Sequence, residues 1–246
     1  MTDTDAHRIL VPVDVLGSQA VPDTLIDAFA SIPIVLLGYY ETPDQTAPEQ
    51  ARAQHATPMR EELAQLERSF ESAGCTVSTR LAFTPNRFRS FERVAVEEGC
   101  DGILVLNPSP DLERVLVAIR GDANLGYISS LVTTVLAGTD MTVTLLHVAK
   151  DEEARLQAEE HLAIVAVHLA KHGIDRQRTE LRVVDGRPTD VILAAAEDHD
   201  LLVIGESRPS IRNRIFRDRA ERLARRSLDP VLVIRGEYLE RSNGNS

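Results

Sequence analysis

Six arginines lie between Arg208 and Arg222, at positions 208, 212, 214, 217, 219 and 222, directly behind the apolar run "LLVIG" (201–205). The place just past the carboxyl end of an apolar strand is where open α/β sheets bind ligands. A guanidinium cluster there suits phosphate or another anion. Asp218, set among the arginines, would repel phosphate, so a salt-bridged neighbourhood around Arg217 and Asp218 that needs no ligand is the competing reading. Arg219, Arg222 and Arg226 share one helix face, with Asp218 and Glu221 as local partners. Without interleaved aromatics or a recognition motif the cluster does not read as a nucleic-acid interface.

Three other sets of residues invite chemistry. His161, His168 and His172 fall on one helical stripe, and the 168/172 spacing suits zinc. His161 is nearly two turns away, too far to share one ion at ligand distances of about 2.0–2.1 Å, so these read as boundary histidines and no metal is assigned. Cys75 and Cys100 lack metal or redox spacing and read as two free thiols. Asp14 ends the apolar run "ILVPV" (9–13). It either faces a ligand or plays a structural part, capping a helix that begins near Ser18 or supporting the turn "VLGS" (15–18). Gly186, in "DGRPTD" (185–190), reads as a tight turn.

Composition narrows the classes. The 246 residues carry 38 Asp+Glu against 27 Lys+Arg, and the net charge of −11 repels polyanionic partners such as nucleic acid or an anionic membrane. Only Lys150 and Lys171 are lysines, a Lys-poor, acid-rich balance that resembles halophilic archaea and is also produced by a GC-rich genome. The first residues, "MTDTDAHR", do not read as a signal peptide. No apolar run approaches the ~18–20 residues of a membrane span, so the expectation is a cytoplasmic, not membrane-embedded protein.

The elements that must position these residues come in two passes. Short apolar runs alternate with amphipathic segments, the signature of βαβ units and a parallel sheet. "RILVPVD" (8–14) is matched by "RVLVAIR" (114–120), "IPIVLLGYY" (32–40) by "MTVTLLHV" (141–148), "CTVSTRLAF" (75–83) by "TELRVVDG" (179–186), and "CDGILVLN" (100–107) by "HDLLVIGE" (199–206). The second copy continues through a helix over 218–227 to a fifth strand, "PVLVIR" (230–235). The first stops at "PSPDLER" (108–114), too short for a crossover helix. The expected fold is therefore α/β, two tandem flavodoxin-like or Rossmann-like repeats, the first truncated at its carboxyl end. The divisions are 1–111, 112–237 and a polar tail over 238–246. The truncation predicts an unpaired sheet edge in the first repeat. Residues 41–58, rich in Pro, Gln and Ala, read as a long loop without an apolar stripe before Met59.

"ILVPVD…GS", "GRPTDVILAAAEDHDLLVIGES" and "AERLARRSLDPVLVIR" together resemble the universal stress protein family in its tandem, haloarchaeal form, over residues 8–235. The resemblance implies a five-stranded parallel sheet in each full domain, with domains paired through their last strands as an intramolecular pseudo-dimer or a homodimer. In ATP-binding members an Asp after the first strand sits by the adenine, and a Gly-x-x-Gly-x9-Gly-Ser/Thr loop holds ribose and phosphates. Asp14 matches that Asp, whereas Arg120 stands at its place in the second repeat. Gly205 matches the first loop glycine and Ser207 follows within the loop, but Arg208 and Arg217 replace the other glycines and Asp218 the hydroxyl residue. The resemblance thus implies a non-catalytic stress or regulatory protein with a degenerate site and no cofactor. The alternatives it leaves are ATP binding and a role as soluble regulator of a membrane transporter. No HxGH pair or SGGxDS loop marks a nucleotide-transferring enzyme.

Overall fold

A computed structural model describes residues 7–17, 19, 21–43, 48–107, 111–120, 125–205 and 218–234. Ser207, Arg208, Arg217 and the tail 238–246 lie outside the described residues. So do the side chains of Asp218 and Arg219.

The described strands form one sheet. In chain order they are β1 (Ile9–Val13), β2 (Ile34–Glu41), β3 (Val77–Thr84), β4 (Gly102–Val105), β5 (Arg114–Ala118), β6 (Thr142–Ala149), β7 (Thr179–Asp185), β8 (Leu201–Gly205) and β9 (Val231–Ile234). The order across the sheet is β3-β2-β1-β4-β9-β8-β5-β6-β7. The pattern β3-β2-β1-β4 is thus repeated as β7-β6-β5-β8, every pair within each set being parallel. β9 lies parallel to β8 and antiparallel to β4, pairing Ile103 with Val233 and Leu104 with Leu232. The edge that the first half leaves unpaired on its own is covered by β9. With no fifth strand of its own, the first half pairs β4 directly with the last strand of the second, which satisfies the backbone groups an open edge would leave free.

The helices are α1 (Asp23–Ala28), α2 (Pro48–Ser72), α3 (Arg87–Glu97), α4 (Leu125–Leu136), α5 (Glu152–Lys171), α6 (Pro188–Ala196) and α7 (Asp218–Arg226). They cover both faces, as a parallel sheet requires. One core holds Val11, Leu36, Leu104, Val117, Leu145 and Leu232, together with residues of α1, α2, α4 and α5. The other holds Leu10, Leu37, Ile103, Leu116, Leu202 and Val233 under α3, α6 and α7. Each core draws on both halves.

Two expectations are corrected here. Residues 48–58 are not loop but the first turns of α2. Ala51 and Ala56 are buried in line with Met59 and Leu63, so small alanines carry the apolar stripe, and Ala and Gln are good helix formers. Pro58 sits on the exposed side of that helix, where its missing N–H leaves a carbonyl facing water. The first helix starts at Asp23 rather than near Ser18, behind Pro22, and Asp14 does not cap it.

Candidate functional site

In this topology the strand order reverses between β1 and β4 and again between β5 and β8. The two places where a parallel sheet offers a crevice are therefore the carboxyl ends of those pairs. Their correspondence is fixed by a shared hydrogen-bond clamp. The Arg8 N–H donates to the Asp101 carboxylate at 2.9 Å, and the Asp101 N–H donates to the Arg8 carbonyl at 2.7 Å. In the second half the Arg114 N–H donates to Asp200 at 2.8 Å, and the Asp200 N–H returns to the Arg114 carbonyl at 2.8 Å. The Cα pairing agrees, Leu10 with Ile103 and Leu116 with Leu202. Counting along the strands from these pairs sets Asp14 against Arg120, and Leu106 against Gly205.

The first crevice is occupied by the chain itself. Asp14 Oδ1 accepts from the Gly17 N–H at 3.0 Å, so its carboxylate supports the turn after β1. The Asp14 N–H donates to Gln19 Oε1 at 3.0 Å, and Gln19 Nε2 donates to the Leu106 carbonyl at 2.9 Å. Gln19 thus ties the end of β1 to the end of β4. Leu106 itself is only 6% exposed and belongs to the core, filling the space that a glycine would leave open. One residue on, Asn107 Nδ2 donates to the carbonyls of Asp229 at 2.9 Å and Ala224 at 3.4 Å. The end of β4 is so fastened to the α7–β9 connection.

Beside this crevice an aromatic and guanidinium stack joins the halves. Burial pushes the Tyr39 phenol up, while the charge of Arg87 opposes that shift and that of Asp14 adds to it. The Arg87 guanidinium lies 5.1 Å from the Phe88 ring centre, and that of Arg225, from α7, lies 4.4 Å from it. Glu221 pairs with Arg225 at 2.8 Å, four residues along the same helix, while the Arg219 side chain lies outside the described residues.

The second crevice differs. Arg120 is exposed just past β5. Gly205 ends β8 beneath α4, where an added Cβ would come within 2.5 Å of Ile128 Cδ1. Gly186 has φ 140°, a left-handed value that favours glycine, and introduces α6 with Pro188 in its first turn. His147 lies near the end of β6, and burial lowers its pKa.

The structure thus separates Asp14 from Gly205 and Arg120 by placing them in different halves. Arg208 and Arg217 fall outside the described residues. Sequence reasoning missed Gln19, Asn107, Tyr39, Arg87 and Arg225. Leu106 was legible, since the matched runs "ILVLN" and "LLVIGE" set it against Gly205. Among the described residues no group of three His, Cys, Asp or Glu is placed to hold a metal. The His168 and His172 rings stack at 4.2 Å, and His172 Nδ1 is bonded at 2.8 Å to the His168 carbonyl. No helix among the described residues is long and apolar enough to cross a membrane.

Residues 129–235 match the family described as the universal stress protein family. No curated protein matches this chain. Among solved structures it is similar to a universal stress protein from Archaeoglobus fulgidus DSM 4304, at 16% identity over 94% of this chain and 97% of that one, with a TM-score of 0.61. A putative universal stress protein from Pseudomonas aeruginosa UCBPP-PA14 is 15% identical over 94% of each chain, TM-score 0.55. The cytoplasmic domain of a prokaryotic cation chloride cotransporter is 16% identical over 94% of this chain and 97% of that one, TM-score 0.54. At these identities the likeness is one of fold, and the α/β parallel-sheet architecture of universal stress proteins is the fold of this chain.

Proposed function

We propose that this chain is a non-catalytic, stress-related protein of tandem universal-stress type, with divisions at 1–111 and 112–237, in which neither half retains a working nucleotide site. The observation that carries the reading is the matched pair of Asp clamps, which sets Arg120 at the place of Asp14. The half with the Asp has its crevice closed by Gln19 and Leu106. The half with the glycine has a cation where the base partner would stand. The antiparallel β4/β9 pairing supports an intramolecular pseudo-dimer built on a shared last strand.

The protein acts in the cytoplasm through contacts, without a cofactor and without nucleic acid, which a net charge of −11 would repel. Purification from its own host tests the reading. Ultraviolet absorbance and mass spectrometry are expected to show no co-purifying nucleotide, and a stoichiometric nucleotide would restore the alternative of an ATP-binding member. A second reading, regulation of a membrane transporter, draws only on the fold shared with the cotransporter domain. Co-purification with native membranes distinguishes it.

A further inference from the structure

Helix α5 is apolar on two faces. Its inner stripe, Ala158, Leu162, Val165 and Leu169, is buried in the sheet-facing core. On the opposite side Leu156, Ile164 and Val167 are 62%, 52% and 53% exposed, with Ala163 and Ala170 exposed between them. At 3.6 residues per turn Leu156, Ala163, Val167 and Ala170 fall within about 60° of one another, and Ile164 lies about 60° beyond Val167 with Glu160 and Lys171 between them. An isolated exposed leucine needs no explanation, but a clustered stripe on a solvated helix does.

The repeated fold supplies a comparison within the same molecule. α2 holds the equivalent place in the first half, between β2 and β3 as α5 lies between β6 and β7. Its outward side carries Gln54, Thr57, Glu61, Gln65 and Arg68, and none of the exposed large hydrophobics belongs to it. Position in the fold therefore does not account for the apolar face of α5.

Charge along α5 indicates what covers that face. Acidic side chains predominate in its first half, Glu152, Glu153, Glu159 and Glu160, where Arg155 is taken up by Asp185 and Glu152, while the cation Lys171 stands at its end. An anionic lipid surface would be repelled by the first half. A second copy laid antiparallel meets the acidic half with the basic end. We propose that α5 is a homodimer interface, in which two copies of this chain pair their α5 helices antiparallel about a twofold axis between positions 165 and 166. That register opposes Ile164 to the second copy's Val167 and Glu160 to its Lys171, each twice by symmetry. The proposal does not depend on whether either crevice binds nucleotide.

Sedimentation equilibrium of the full-length chain, from low to high micromolar concentration, tests it. The mass is expected to rise from the 27.1 kDa of one chain towards twice that value. A double Ile164→Glu/Val167→Glu variant with unchanged circular dichroism is expected to stay monomeric. Lys171→Glu should weaken the dimer about tenfold by opposing like charges twice. The exchange Glu160→Lys/Lys171→Glu should restore it, which keeps the test decisive if the double glutamate variant misfolds. A wild-type monomer at every concentration, a dimer that survives the glutamates, or an exchange that fails to rescue would overturn the proposal. So would a monomer that binds neutral lipid vesicles through this face.

Discussion

At the scale of single residues, the two Asp clamps matter most, because each carboxylate holds the start of the first strand of its half. Asp200 is buried and accepts from the N–H groups of Glu113 and Arg114, with Arg114 Nη2 3.7 Å away. Asp200→Ala leaves two backbone donors short of an acceptor and is expected to lower the unfolding free energy by about 1–3 kcal/mol in urea titration. A change below a few tenths would show the clamp to be incidental. Titration adds a second expectation. Burial lowers the pKa of His147, so as pH falls the unfolded chain takes up this proton first. Its contribution to stability is full above the ordinary imidazole pKa of ~6.5 and is lost as pH falls through the lower, folded value. His168 shifts the same way through burial and its cationic neighbours. Burial and the Asp200 charge raise Asp229, whose effect has the opposite sign and acts further towards acid. The thermal midpoint is expected to fall on going from neutral to mildly acid pH, and less steeply in His147→Gln. The exchange of Asp14 for Arg120 and of Leu106 for Gly205 was legible by matching the repeats. The Gln19 bridge was not, because its partner Leu106 is distant in sequence and nothing in local pattern announces it.

At the scale of elements, the nine described strands follow the runs read from the sequence, because the inner strands are buried on both faces and need continuous Val, Ile and Leu, while the edge strands β3 and β7 are half exposed and mix polar residues in. The reading failed at α2, where alanines rather than large side chains mark the buried stripe, and it did not name the strand that covers the edge of β4. That edge is satisfied by a strand more than a hundred residues further along the chain, a pairing that no local signal encodes. β9 has a testable weight in both halves. Val233, fully buried between β4 and β8, belongs to the second core. Val233→Asp is expected to destabilise the whole chain by about 3 kcal/mol or more in one transition. Loss of the second half alone, with the first still melting at its usual midpoint, would show that the halves fold separately. For the same reason residues 1–111 expressed alone, with β4 uncovered, are expected to aggregate or to lack a cooperative transition.

At the scale of the molecule, the strand order β3-β2-β1-β4 recurs as β7-β6-β5-β8, and the corresponding crevices carry different residues. The first half has Asp14 after its first strand and its crevice is filled by Gln19 and Leu106, while the second has Gly205 and, at the position corresponding to Asp14, Arg120. A complete nucleotide site needs the base partner and the phosphate loop on one side of one sheet, and on the function proposed above neither half supplies both. What remains for an anion in the second half is charge, which salt screens over about 8–10 Å. Calorimetric titration of the full-length chain with ATP, ADP and AMP at low and high salt tests this most directly. The expected result is weak binding that does not discriminate among the three, disappears at high salt, and is lost in Arg120→Glu. A micromolar ATP complex, about −8 kcal/mol, that is insensitive to salt and selective over AMP would contradict it.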